Sequence, residues 1–191
     1  MKLQVRLSGS GGQGIILAGI LLAEAGIIDG KKVLQSQSYG PESRGGSSRA
    51  DVIISDETIY FPRAVDLDIL LCLTQEAADK FINELKSTGT FIYDSSQIRI
   101  NPIEGEAIGI PFNDLAIKKF KTPLVTNIIS LAFACRITNI ISRNALKKAL
   151  KKRVKSMYIE LNLKAVGLGV RLAEKYLSER SINNREKSNN F

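Results

Sequence analysis

The chain has 191 residues, 44% of them hydrophobic, enough for one domain with a sizeable core. It carries 27 lysines and arginines against 19 acids, a net charge of +8, and no histidine. The missing histidine excludes every histidine-dependent triad and the commonest general base and zinc ligand. Two cysteines cannot hold a four-thiolate iron–sulfur cluster.

Met1-Lys2-Leu3-Gln4 reads as the start of a strand rather than a signal peptide. Leu3 to Leu7 is a short apolar strand. A glycine segment follows, Ser8-Gly9-Ser10-Gly11-Gly12-Gln13-Gly14, and opens an apolar helix from Ile15 to Ala25. Its longest uninterrupted apolar stretch, Ile15 to Ala23, is too short to span a bilayer, so a cytoplasmic protein is expected. Lys32 to Gln35 is a strand leading into a second glycine segment, Gln37 to Arg49. Ala50 to Ser55 and Asp68 to Leu73 read as buried strands. Gln75 to Leu85 reads as a helix capped by Thr74, with strands at Thr90 to Asp94 and Ala107 to Pro111. The last third is helical: Leu115 to Phe120, Pro123 to Ile140, Arg143 to Lys155 and Met157 to Leu177, with Asn139 and Ser142 marking a break. The expected fold is a three-layer, Rossmann-like α/β domain over residues 1–178, with a largely parallel sheet and a helical C-terminal third. Residues 179–191 read as a polar, disordered tail. Cys72 and Cys135 lie in apolar runs and read as buried, reduced thiols.

Gly9, Gly11 and Gly14 match the G-x-G-x-x-G pattern between a strand and a helix. Helix N-termini present unpaired N–H groups and a positive dipole end, so such a turn suits an anion. A nicotinamide site needs an acid at the end of the second strand, and Gln35 stands there instead. A phosphate cradle for another ligand, close approach of a partner's backbone and a simple tight turn all remain open. In the second segment, Tyr39 and Arg44 stand among Gly40, Gly45 and Gly46. A guanidinium fork fits phosphate or carboxylate, although Arg44 could equally pair with Glu42. Arg49 reads as an ion-pair partner. Between Ser142 and Ile159 there are seven cations and no acid, interleaved with apolar residues at helical spacing. This basic helix is a solvated face, a seat for an acidic partner or anionic ligand, or a nucleic-acid contact. No aromatic set or nucleic-acid motif accompanies it.

Ser8 to Gly19 and Gln35 to Ser55 together resemble the gamma subunit of 2-oxoacid:ferredoxin oxidoreductases, most closely its 2-oxoglutarate (KorC-type) branch. The likeness runs from about Lys2 to Leu177. It implies a subunit of an enzyme that oxidatively decarboxylates a 2-oxoacid on thiamine diphosphate, passes electrons through iron–sulfur clusters to ferredoxin, and forms an acyl-CoA. Thiamine diphosphate and the clusters are then expected on partner subunits, alpha and beta, with a ferredoxin-like delta subunit as a further candidate partner. The chain lacks a Gly-Asp-Gly…Asn-Asn thiamine signature, so it is expected to bind no cofactor and to be inactive by itself. No nucleic acid and no membrane are expected as partners. The resemblance implies a gamma domain associated with coenzyme A access. Gly9, Gly11, Gly12, Gln13 and Gly14, with Tyr39, Arg44, Gly45 and Gly46, are the residues expected to line that intersubunit cleft. The rival readings are a pyruvate or branched-chain gamma subunit, a free-standing nucleotide or coenzyme A module, and an assembly protein docking through the basic helix.

Overall fold

Five consecutive buried residues, Val5 to Gly9, make β1 (Lys2–Ser10) a strand covered on both faces. The computed structural model describes residues 1–38 and 47–189, with side chains described as far as residue 182. After α1 (Ile15–Ile28) the chain forms β2 (Lys32–Ser38), β3 (Ser47–Ser55), β4 (Leu67–Cys72), α2 (Gln75–Phe81), β5 (Leu85–Asp94) and β6 (Glu106–Ile110). Four helices follow: α3 (Phe112–Phe120), α4 (Thr126–Thr138), α5 (Arg143–Arg153) and α6 (Ser156–Asn189). The strands form one sheet in the order β2-β3-β1-β4-β5-β6. Strands β1, β4, β5 and β6 pair in parallel, while β3 runs antiparallel to both β1 and β2. The sheet is therefore largely parallel, as expected, with a single reversed strand beside its centre.

Alternation along the strands assigns side chains to two layers. Val5 and Leu7 join α1, α3, α4, α5 and α6 in the larger core. Leu70, Cys72 and Phe91 face the other way and pack with Ala77, Ala78 and Phe81 of α2. Helix α1 is apolar almost all round because it lies between the sheet and α5, and α4 is largely buried against α6, with Arg136 in its last turn reaching Glu174. On α2's side, Arg6 of β1 sits opposite Asp51 of β3, and its guanidinium pairs with both carboxylate oxygens at 2.6 and 3.0 Å. Its Nη1 lies 2.6 Å from Glu84 Oε2, and its plane stacks 4.7 Å from the Phe81 ring centre. Burial works against the charged form, but Asp51 and Glu84 outweigh it and raise the Arg6 pKa.

Element boundaries shift where tertiary bonds override local preference. The helix expected over Gln75 to Leu85 ends at Phe81, passes through a 3₁₀ turn at Ile82–Glu84, and yields Leu85 to β5, where it pairs with Leu67. Helix α3 begins three residues early because Asp94, fully buried at the end of β5, accepts the Asn113 amide at 2.8 Å. Helix α4 begins at Thr126 rather than Pro123, whose carbonyl instead closes a turn with the Thr126 amide. Asn139, in the left-handed region at φ 51°, ends it. Helix α6 runs past Leu177 to Asn189. Arg180 reaches Glu106, and the hydroxyls of Ser178 and Ser181 donate back to preceding carbonyls. Among the described residues no helix is long and apolar enough to cross a membrane.

Candidate functional site

Helix α1, which follows β1, covers one face of the sheet; α2, which follows the neighbouring parallel strand β4, covers the other. Adjacent parallel strands whose helices depart to opposite faces open a crevice at their carboxyl ends, where open α/β sheets bind ligands. The first glycine segment lies at this point. The Leu73 amide bonds the Ser8 carbonyl at 3.0 Å, so the exits of β1 and β4 stand side by side.

Within the turn each residue has a distinct task. Gln13 folds back, its Oε1 accepting the Ser10 amide at 2.8 Å, and a Cβ on Gly9 would come within 2.3 Å of that oxygen. Gly14 is the N-cap of α1 in the left-handed region at φ 71°, a conformation that favours glycine. Gly11 and Gly12 have open space where a Cβ would stand. Among the described residues no side chain caps α1, and its first turn holds no acid. First-turn N–H groups and the dipole's positive end at such a turn suit an anion. The turn fits a phosphate by this test.

Asn127 was not legible as a site residue. It enters from the first turn of α4, is 4% exposed, and donates through Nδ2 to the Gly14 carbonyl at 2.9 Å. The signal available was a polar trio, Thr126, Asn127 and Ser130, inside an apolar helix; all three are buried. Asn127 also lines an apolar groove of about 310 Å³ with Leu17, Leu124, Val154, Tyr158 and Leu161. Leu124 at its mouth is 73% exposed.

The second glycine segment is anchored at the same end of the sheet. Ser47, where β3 begins, pairs with Ser10, and Ser38, where β2 ends, pairs with Arg49. Tyr39, Arg44, Gly45 and Gly46 themselves lie outside the described residues. Arg49 behaves as an ion-pair partner, its Nε 4.0 Å from Asp51 Oδ2. The strand order also gives a reason against a nicotinamide site: β3 stands between β1 and β2, so Gln35 is two strands from the glycine turn. Cys72 and Cys135 are buried free thiols. Burial pushes Cys135 up to about 12 and Cys72 further, so neither is a thiolate at neutral pH.

An open, mostly parallel sheet with a glycine turn at its switch point and a helical C-terminal region defines the class: a Rossmann-like α/β domain. The chain belongs to the pyruvate ferredoxin/flavodoxin oxidoreductase family, which matches residues 4–172. It is 41% identical over 178 residues to the 2-oxoglutarate synthase subunit KorC of Methanocaldococcus jannaschii, covering 91% of this chain and 95% of that one. Among solved structures, the gamma subunit of a keto/oxoacid ferredoxin oxidoreductase from Geobacter sulfurreducens superposes with a TM-score of 0.81 at 40% identity, over 91% and 99% of the two chains. A 2-oxoglutarate:ferredoxin oxidoreductase from Magnetococcus marinus, with 2-oxoglutarate, coenzyme A and succinyl-CoA bound, gives a TM-score of 0.82 at 27% identity. There the match covers 91% of this chain but 31% of the other, so the domain is one part of a longer polypeptide.

Proposed function

We propose that this chain is the gamma subunit of a multi-subunit 2-oxoglutarate:ferredoxin oxidoreductase, working in the cytoplasm with alpha, beta and ferredoxin-like delta subunits. Its glycine turn forms one wall of the intersubunit cleft that admits coenzyme A. The observation that carries the cleft assignment is the register of β1 with β3, which anchors both glycine segments at the switch point. Bound on partner subunits, thiamine diphosphate supplies the carbon–carbon cleavage and the iron–sulfur clusters the electron path. This chain contributes binding and position. The first-turn amides of α1 and the bare backbone of Gly11 and Gly12 receive a phosphate of coenzyme A, while Gly9, Gln13, Gly14 and Asn127 hold the turn's shape. Tyr39 and Arg44, with Gly45 and Gly46, complete the wall, Arg44 as a fork for a second phosphate oxygen pair.

The test uses the co-expressed, anaerobically purified complex. Dye reduction should require 2-oxoglutarate and coenzyme A together. Arg44→Ala should raise the KM for coenzyme A about tenfold or more, the scale of one charge-assisted bond, with the KM for 2-oxoglutarate unchanged. An unchanged value in a fully assembled complex would remove Arg44 from the cleft. Preference for pyruvate or a branched-chain 2-oxoacid would correct the substrate. Coenzyme A or nucleotide binding by a chain that elutes alone would favour the free-standing module.

A further inference from the structure

Helix α5 is fixed in place at its start. Ser142 caps it through the Ala145 amide at 3.1 Å and donates its hydroxyl to Asp29 at 2.8 Å. Its inner side, Ala145, Leu146, Ala149 and Leu150, is buried against its neighbours. Its solvent side carries Arg143, Lys147, Lys148, Lys151, Lys152 and Arg153, with Lys155 just past its end. Among the described residues only Arg153 of these has a carboxylate partner, Glu24.

At its start this charge works against the helix, while Lys151, Lys152 and Arg153 in the last turn complement the dipole. The first turn has no acid, and Arg143 stands near the positive dipole end. The spacings 143–147–151 and 148–152 place like charges four residues apart on the helix, each pair mildly destabilising. A stripe whose like charges repel and which, Arg153 apart, has no carboxylate partner among the described residues points to a partner outside the chain.

The composition selects the kind of partner. Permanent subunit interfaces have apolar or aromatic centres and are depleted in lysine, whereas the outer face of α5 has lysines and no aromatic or large aliphatic residue. Nucleic-acid surfaces of this type pair cations with stacking aromatics, and α5 carries none. Hydrated, flexible ammonium groups on one face suit electrostatic steering and short-lived docking.

We propose that the outer face of α5 docks the acidic surface of a soluble electron-carrier protein that visits the assembled enzyme. This rests on the oxidoreductase reading above, which supplies the need for such a visitor.

The experiment compares the assembled enzyme with one carrying Lys147→Gln, Lys148→Gln, Lys151→Gln and Lys152→Gln, using two electron acceptors, methyl viologen and a purified acidic ferredoxin, over a range of salt. The substituted enzyme should keep its viologen rate while the KM for ferredoxin at low salt rises about tenfold and its salt dependence flattens. Lysine-to-arginine replacement at the same four positions should restore the ferredoxin KM. An unchanged ferredoxin KM and salt dependence overturns the proposal. So does loss of a subunit from the substituted complex, which would make α5 a permanent interface, or loss of co-purifying RNA with unaltered kinetics. Absence of 2-oxoacid-dependent viologen reduction in the unsubstituted enzyme would instead overturn the oxidoreductase reading, and this proposal with it.

Discussion

On one face of the sheet five helices enclose a core in which Phe133 meets Phe112 at 5.4 Å and Tyr176 at 6.3 Å between ring centres. On the other, a seven-residue helix and its flanking segments provide the cover, and the largest fully buried side chain is Arg6. The thick face holds by apolar packing, which is non-directional and tolerates change that conserves volume. The thin face has less apolar surface to bury and ties β1 to β3 with a charged cross-strand pair instead. Such a pair contributes little net stability over a well-packed apolar substitute, but it fixes geometry and punishes loss of one member. These two strands carry the glycine segments, so register there matters more than bulk stability.

Single truncations should expose this difference most strongly. Phe133→Ala leaves a void on the thick face and should cost about 3–5 kcal/mol in urea denaturation. Asp51→Ala should cost toward the lower end of about 3–5 kcal/mol, because the buried Arg6 charge loses its bidentate partner and keeps only Glu84. The second loss should be largely recovered by adding Arg6→Met, which removes the underpaired buried charge, refills its volume and leaves the partly exposed Glu84 to solvent. No comparable second change on a polar neighbour rescues Phe133→Ala. A double variant as unstable as Asp51→Ala alone would show that the pair itself, and not the underpaired charge, was the source of stability.

Helix caps sharpen the comparison at smaller scale. Ser142, on the thick face, caps α5 and is braced by Asp29 through both its amide and its hydroxyl. Thr74 caps α2 on the thin face through a single, long 3.4 Å contact to the Ala77 amide. Ser142→Ala should therefore destabilise by about 1–2 kcal/mol and Thr74→Ala by about 0.5–1 kcal/mol. Equal losses in thermal denaturation would mean that Asp29 adds nothing to the cap.

The division between the faces also explains what could be read from the sequence. Strand β1, the glycine turn and α1 were legible because turn chemistry, apolar period and the G-x-G-x-x-G spacing agree locally. The Thr74 cap and the Asn139–Ser142 break were legible for the same reason. Insertion of β3 between β2 and β1 was not, since a buried strand reads alike in either direction. Nor was the switch point between β1 and β4, which depends on strand order. The early end of α2 escaped because Glu84 and Leu85 are drawn away by Arg6 and Leu67, residues far off in the chain. Asn127 escaped likewise: its bond to Gly14 spans 113 positions.

Charge at the sheet's outer margin behaves differently from the pair under α2. Asp56, just past β3, accepts from Lys31 at 2.6 Å and from the N-terminal ammonium of Met1 at 2.8 Å. Lys31 first, then the N-terminus, lowers its pKa from 3.8 to about 2. The folded state thus binds the proton less readily than the unfolded chain. Asp56's contribution is fully present above the unfolded value and is lost as pH falls through 2. In acid titrations of unfolding, Asp56→Asn should flatten the slope between those two values and leave stability near neutrality little changed, as expected for exposed, solvent-screened charges. About 0.5 M salt should flatten the parent in the same window, because the Debye length is then far shorter than in dilute buffer. The Arg6–Asp51 pair, shielded from ions by Phe81 and the sheet, should keep its contribution at the same salt. An Asp56→Asn variant with the parent's acid slope would place that slope on other carboxylates and leave the N-terminal clamp without a measurable part in stability.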